Sequence, residues 1–499
     1  MRGLILFSAA LACFAQSSQT AGVSPLQDAE KELFAARYKT AAQLYAQVLE
    51  RDRAGPDAYY GLVRALIGDH RSAEAYAAAE DALRNSPQTA GAQTAAGLAA
   101  YRKGDLAQAE SCFRAALRLD PEYAGALDGL ASVCRAFSRL KTARDLQLAA
   151  YRKSPRDPEL MIAHANTLKG AEHVAALREA LSILDPESEQ ARALRAHIAN
   201  DLAIGDRQVS RLTSPYDAGR IKLFRILDGP SRLRGIGMRV QLNRRQTLSL
   251  LLDTGASGIS VSPKVAERAG LELLGDQSSE TKGIGDERTQ ASYRYIVSEL
   301  RIGDVLFADY PVSVFRAAQS PNYDGLIGAD VFRRFVVTID FPHLDLFLAP
   351  RPGGDSAGEP IDAGPLAAGF HRAVRVGDHL ALPTFINSGP ATLFLIDSGA
   401  SDNLIDTAIG RQSSDVSRDD LARVAGIQGE VKQTSRAQHV TLAFGGFRQE
   451  NPSLLAISLE KMSDSMGMAF GGILGMPVLG QLNVTIDYRE GAVRLEHKK

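Results

Sequence analysis

The chain has 499 residues, too many for one hydrophobic core, and ordinary domain sizes divide that length into about three units. Hydrophobic residues make up 45% and charged residues 23%, the balance of a soluble globular protein, with a formal net charge of −1. That near-neutral charge, with no basic run, excludes nucleic acid and an anionic membrane surface as partners.

In chain order the first feature is an export signal, placed at residues 1–20. Met1-Arg2-Gly3 supplies a short positive segment and Leu4 to Ala12 an apolar stretch of signal-peptide length. It is too short to span a bilayer, and no later segment reaches the ~20 apolar residues that a transmembrane helix needs. Ala10-Leu11-Ala12 meets the small-x-small rule for cleavage before Cys13. With Cys13 leading the mature chain, the pattern also resembles a bacterial lipoprotein signal, although Ala10 stands where Leu is usual. The expected location is therefore outside the cytoplasm, periplasmic or secreted, with a lipid anchor at Cys13 as the alternative to a free chain. Cys112 and Cys134 are the other cysteines; both fall in helical sequence and read as ordinary buried thiols, with a disulfide between them left open.

Residues 24–205 are rich in Ala, Leu, Arg, Gln and Glu, with apolar residues at helical spacing. Ala41, Ala75, Ala109 and Ala143 follow one another at 34 residues, as do Ala82, Ala116 and Ala150, and Pro87, Pro121 and Pro155. One unit carries Gly97, Tyr101, Gly104, Ala109, Phe113, Ala116, Asp120 and Pro121. It resembles a tetratricopeptide repeat, in which small residues let two antiparallel helices approach and proline ends the second. Four units are clear, with a degenerate fifth around Glu159 to Pro186. The resemblance implies an all-α solenoid that holds a protein partner on its concave face. Because each repeat contacts only its neighbours, this unit is expected to fold alone and to leave the chemistry untouched.

Near residue 210 the composition changes to short runs of Val, Ile, Leu, Phe and Thr between turn residues, the signature of β-strands. A Pro-, Gly- and Asp-rich stretch beginning at Arg351 reads as a linker, 351–369, between segments 215–350 and 370–499. Both segments follow one plan. Leu250-Leu251-Leu252-Asp253-Thr254-Gly255-Ala256-Ser257 is answered by Phe394-Leu395-Ile396-Asp397-Ser398-Gly399-Ala400-Ser401. Gly-rich turns follow each aspartate, at Gly283 to Gly285 and at Gly426 to Gly429. Next come Leu326-Ile327-Gly328 and Ile473-Leu474-Gly475, then Val337-Thr338-Ile339-Asp340 and Val484-Thr485-Ile486-Asp487. Four landmarks in the same order at near-equal spacing are a duplication.

The duplicated region, about residues 215–499, resembles the aspartic peptidase family in its retropepsin-like bacterial branch, with two all-β lobes fused in one chain. The resemblance implies a catalytic pair, Asp253 and Asp397, and catalytic loops supported by Thr254, Gly255, Ser257, Ser398, Gly399 and Ser401. It also implies flap tips at Gly283, Gly285, Gly426 and Gly429 over a cleft that takes a peptide or protein substrate. No cofactor is implied. The chemistry suits the residues: two carboxylates a few ångströms apart share one proton, so one acts as base and the other as acid. Ala256 and Ala400 stand where pepsin-like enzymes carry a hydroxyl, which predicts a less acidic optimum. Neither turn shows a clearly placed flap tyrosine, and Tyr293 and Tyr295 are the candidates.

Other chemistries lack their motifs. There is no His-Glu-x-x-His or Cys-x-x-Cys cluster for a metal, and the nine histidines are scattered. Gly255-Ala256-Ser257-Gly258 misses the nucleophile-elbow spacing by one residue. The function expected is an aspartic endopeptidase whose repeats recruit substrate or partner. The alternative is a non-catalytic peptide-binding scaffold that keeps the bilobal fold, and a third arrangement pairs each lobe with its like in a second chain.

Overall fold

The alanine periodicity has a direct structural meaning. In the computed structural model, which describes residues 24–52, 55–229, 232–281, 283–285, 290–316, 320, 322–351, 361–426 and 428–497, the seven alanines of the 34-residue period are all at most 2% exposed. The export signal and Cys13 lie outside the described residues. The first eleven helices are α1 (Pro25–Phe34), α2 (Tyr38–Arg51), α3 (Pro56–Gly68), α4 (Ser72–Asn85), α5 (Ala90–Arg102), α6 (Leu106–Leu119), α7 (Ala124–Ala136), α8 (Leu140–Lys153), α9 (Pro158–Ala165), α10 (Gly170–Ile183) and α11 (Glu189–Ile204). Pro87, Pro121 and Pro155 each fall two residues beyond the end of a helix, where a missing N–H costs nothing. Phe113 shows why the glycines recur: a Cβ on Gly97 would lie 2.7 Å from its ring, and one on Gly129 2.2 Å. Cys112 and Cys134 are buried and free.

The helical array curls until its two ends meet. The Asp185 N–H, in the turn before α11, donates to the Ala35 carbonyl in the turn after α1 at 2.9 Å, and Arg37 pairs with Asp185. Across the middle, Arg64 of α3 reaches Asp157 at 2.6 Å and Glu159 of α9 at 2.9 Å. The concave face expected of an open solenoid is thus narrowed and bridged by contacts across it.

Alternating apolar residues build two barrels downstream. In the first lobe the strand order is Arg232–Leu242, Gln246–Leu252, Gly325–Ile327, Ile259–Val261, Val305–Val314 and Gln290–Ile302, closed by pairing of Leu242 with Leu300. In the second it is His379–Ile386, Ala391–Ile396, Gly472–Leu474, Leu404–Asp406, Phe447–Ile457 and Ser435–Phe444, closed by pairing of Thr384 with Phe444. These are six-stranded barrels of the same path. Strands outside the barrels join the lobes: Val336–Asp340 pairs antiparallel with Asn483–Asp487, with Thr338 opposite Thr485 and their hydroxyls 3.0 Å apart.

The repeats do not stand apart from the lobes: their helices touch both of them, beyond the neighbour-only contacts expected of a linear array. Leu106 and Ala136, with Tyr101 and Phe137, share an apolar cluster with Leu393, Leu395, Met468, Phe470 and Ile473 of the second lobe. The Ala469 N–H donates to the Arg102 carbonyl at 2.7 Å, and Ser72 Oγ donates to Asp464 at 3.1 Å. Just past the stretch 352–360, which lies outside the described residues, Ile361 and Asp362 accept hydrogen bonds from the start of α8. On the other side α11 packs on the first-lobe strand Glu272–Thr281, where Gly275 sits at φ +68° against the Ala199 backbone.

Candidate active site at the lobe seam

Each Asp-Thr/Ser-Gly follows a buried strand. Leu250 to Leu252 pair in parallel with Gly325 to Ile327, and Phe394 to Ile396 with Gly472 to Leu474. The ladder ends on the aspartates: the Asp253 N–H donates to the Ile327 carbonyl at 2.9 Å, and the Asp397 N–H to the Leu474 carbonyl at 3.0 Å. The hydrophobic-hydrophobic-Gly segment of each lobe therefore fixes where its aspartate leaves the sheet.

The two loops meet within the one chain, so the pairing of lobes between chains is not the arrangement seen. Asp253 and Asp397 lie within hydrogen-bonding reach of one another. A Cβ on Gly255 would be 2.6 Å from Asp397 Cγ, and one on Gly399 2.4 Å from Asp253 Cγ. Each glycine thus leaves room for the opposite carboxylate. The Thr254 N–H donates to Ser398 Oγ and the Ser398 N–H to Thr254 Oγ1; their hydroxyls donate to the Ile396 and Leu252 carbonyls respectively. Both hydroxyls are buried and saturated across the pseudo-twofold.

The two carboxylates differ in surroundings. Asp397 Oδ1 accepts from the Gly399 N–H at 2.8 Å and the Ala400 N–H at 3.1 Å, whereas Asp253 Oδ1 accepts from the Gly255 N–H at 2.9 Å. Removal from water, then the charge of Asp397 and a hydrogen bond with it, push the Asp253 carboxyl well above the usual carboxylate range. The Gly255 N–H and Arg234 oppose that shift. Arg234 donates to the Gly399 carbonyl at 3.0 Å, placing a cation beside the pair. No local motif marks Arg234, which comes from a different strand of the barrel.

The support expected of Ser257 and Ser401 is corrected. Ser257 is exposed, and Ser401 donates to the neighbouring Asp402 at 3.0 Å instead of to Asp397. Their place belongs to Asp330 and Asn403. Both oxygens of Asp330 accept from the Gly258 N–H, at 2.9 and 3.1 Å, and Asn403 Oδ1 accepts from the Gly475 N–H at 2.9 Å. Burial pushes Asp330 up to about 6.

The Gly-rich turns of the two lobes touch each other. The Gln428 N–H donates to the Ile284 carbonyl at 3.0 Å, and the Gly283 N–H donates to Gln428 Oε1 at 3.1 Å. Gly285 and Gly426 are the close-approach points, against Gln428 and Ile284 respectively, and Gly426 pairs with Gly429 in a short hairpin. Tyr293 is exposed on the strand behind the first turn, and Tyr295 packs against the barrel core.

Comparison with known families agrees with this geometry. Residues 238–334 match the gag-polyprotein putative aspartyl protease family, residues 383–478 the aspartyl protease family, and residues 94–158 the tetratricopeptide repeat. The chain joins tetratricopeptide repeats to two retropepsin-like aspartyl protease domains. Protein DNA-DAMAGE INDUCIBLE 1 of Arabidopsis thaliana is 36% identical over 93 residues, 19% of this chain and 22% of that protein. The chain thus spans about a fifth of the length of that curated relative. Among solved structures, TTC0263, a thermophilic TPR protein of Thermus thermophilus, is 24% identical, with 36% of this chain and 97% of that one covered at a TM-score of 0.28. The Cut9–Hcn1 hetero-tetramer of APC/C is 15% identical, with 36% and 42% covered, also at 0.28.

A cavity lies inside the ring of repeats. Its volume is about 420 Å³, and Tyr60, Arg64, Tyr101, Asp128 and Glu159 line it, with Asp464 of the second protease domain at one end.

Proposed function

We propose that this chain is an aspartic endopeptidase in which Asp253 and Asp397 activate water against a peptide bond. The observation that carries the reading is the pair itself: two carboxyls in reach of one another, each lying against the other lobe's glycine. Like charges so close share one proton. Asp253, whose carboxyl is pushed upward, holds it, and Asp397, with two amide donors, carries the charge. A water between them loses a proton to Asp397 as its oxygen attacks the scissile carbonyl, while Asp253 donates to the carbonyl oxygen. In the tetrahedral intermediate the proton on Asp397 passes to the amide nitrogen, the C–N bond breaks, and the Asp253 proton is restored from the collapsing diol. The touching turns at Ile284 and Gln428 must part for an extended substrate to enter.

The repeats hold a protein partner or substrate, and the polar chamber lined by Tyr60, Arg64, Asp128 and Glu159 is the surface such a segment would meet. The test is cleavage of an unstructured protein by wild type, Asp253→Asn and Asp397→Asn. Each variant should fold and lose turnover by several orders of magnitude. Near-wild-type turnover in either would remove the dyad, and an inactive wild type that still binds peptides would favour the scaffold reading.

A further inference from the structure

The fold also brings together three metal-type ligands that no local motif announces. His173 lies in the first turn of α10, and His197 and Asp201 stand four residues apart on one face of α11. His173 Nε2 is 3.1 Å from Asp201 Oδ2, and His197 Nε2 is 3.2 Å from the same oxygen. All three ligand atoms fall within 4.8 Å of one another. Around a tetrahedral zinc ion with bonds of about 2.0–2.2 Å, neighbouring ligand atoms stand roughly 3.3 Å apart, close to the two separations seen.

Orientation adds a second argument. His173 Nδ1 is 2.8 Å from the Ala165 carbonyl, an oxygen that can only accept, so Nδ1 carries a proton. In the neutral ring Nε2 then presents a lone pair to a carboxylate oxygen, acceptor against acceptor, unless a proton or a cation lies between. A backbone carbonyl holding the far nitrogen of an imidazole is how metal-binding histidines are aimed.

We propose that His173, His197 and Asp201 bind one divalent transition-metal ion of the zinc type, with solvent completing the coordination shell. Imidazole and carboxylate donors suit that class, and two neutral imidazoles with one carboxylate leave the site a single positive charge. Asp201 is 24% and His173 17% exposed, whereas His197 is 53% exposed, so the ion enters from the His197 side. The ion would tie α10 to α11. Between His197 and Asp201 lies Ala199, whose backbone meets Gly275 of the strand that leads to the first glycine-rich turn. Sequence spacing gives no sign of this cluster, because its ligands converge only through helix packing.

The experiment uses the full-length, tag-free chain, stripped with a chelator and titrated with Zn²⁺ by calorimetry and with Co²⁺ by visible absorption. Wild type should take up one equivalent and melt at a higher temperature with the ion than without it. His197→Ala, at an exposed position that leaves the fold unthreatened, and Asp201→Asn should each weaken uptake by at least about tenfold, with circular dichroism unchanged. A wild-type chain that takes up no ion would show that a proton bridges His173 and Asp201 and would overturn the proposal. Equal uptake by wild type and both variants would overturn it as well.

Discussion

Thr254 and Ser398 bind each other across the seam: the Thr254 N–H reaches Ser398 Oγ at 3.1 Å, and the Ser398 N–H reaches Thr254 Oγ1 at 2.9 Å. Neither residue touches solvent appreciably, so removing one hydroxyl strands an amide and a carbonyl in the dry interface. Thr254→Val and Ser398→Ala should each lower stability by roughly 1–3 kcal/mol, and the double variant should lose less than the two losses added. Denaturant unfolding of the four proteins measures both numbers. Strict additivity would mean that the hydroxyls act separately.

Arg234 should set part of the pH profile. Its charge opposes the upward displacement of Asp253, so replacing it with methionine should let that carboxyl keep its proton to higher pH. On the proposed mechanism, the basic limb of kcat/KM then moves upward, and Arg234→Lys leaves it closer to wild type. A limb that Arg234→Met does not move would detach Arg234 from the pair.

Asp330 should weaken the native state as pH rises. Its folded value of about 6 stands above the ordinary 3.8, so the unfolded chain releases this proton first. The penalty is absent below about pH 4, grows up to about pH 6 and is then complete, on the order of 3 kcal/mol at most. Asp330→Asn keeps an acceptor for the Gly258 N–H and removes the charge. Its unfolding free energy should be flatter than wild type across that window and higher at neutral pH. Parallel curves would show that Asp330 titrates normally.

The seat of the repeats on the second lobe should be energetically substantial. Leu106 is 5% exposed in a cluster that spans both units, and Leu106→Ala should cost about 2–4 kcal/mol if the two unfold together. A fragment starting after residue 205 would bare Met468 and Phe470, so it should be less soluble and melt lower than the whole chain. Matching melting temperatures for fragment and whole chain would mean that the contact contributes nothing.

The repeats and the duplicated lobes were legible because their signals are local. Period-34 alanines, strands ending in Asp-Thr-Gly or Asp-Ser-Gly, and hydrophobic-hydrophobic-Gly segments are each read within a short window. Reading failed where a role depends on convergence of distant segments. Arg234 and Asp330 sit among ordinary strand and turn residues, and nothing beside them in the chain names Gly399 or Gly258 as their partners. Ser257 and Ser401 erred the other way, since their position in the motif suggested a role that side-chain direction denies. Closure of the repeat ring through Ala35 and Asp185 likewise joins segments about 150 residues apart.

The strand pair centred on Thr338 and Thr485 has an ancestry written into it. Val-Thr-Ile-Asp lies against Val-Thr-Ile-Asp about a local two-fold axis, the form of contact that two copies of one subunit make. In a true homodimer every substitution strikes both halves of the cleft at once, so neither aspartate can acquire a setting of its own. Tandem fusion lifts that constraint. One half now carries Arg234 and Asp330, the other Asn403 and a second amide donor for its carboxylate. On the proposed mechanism, a cleft with unlike halves would read a polypeptide in one direction, and drift after duplication is enough to give it that polarity.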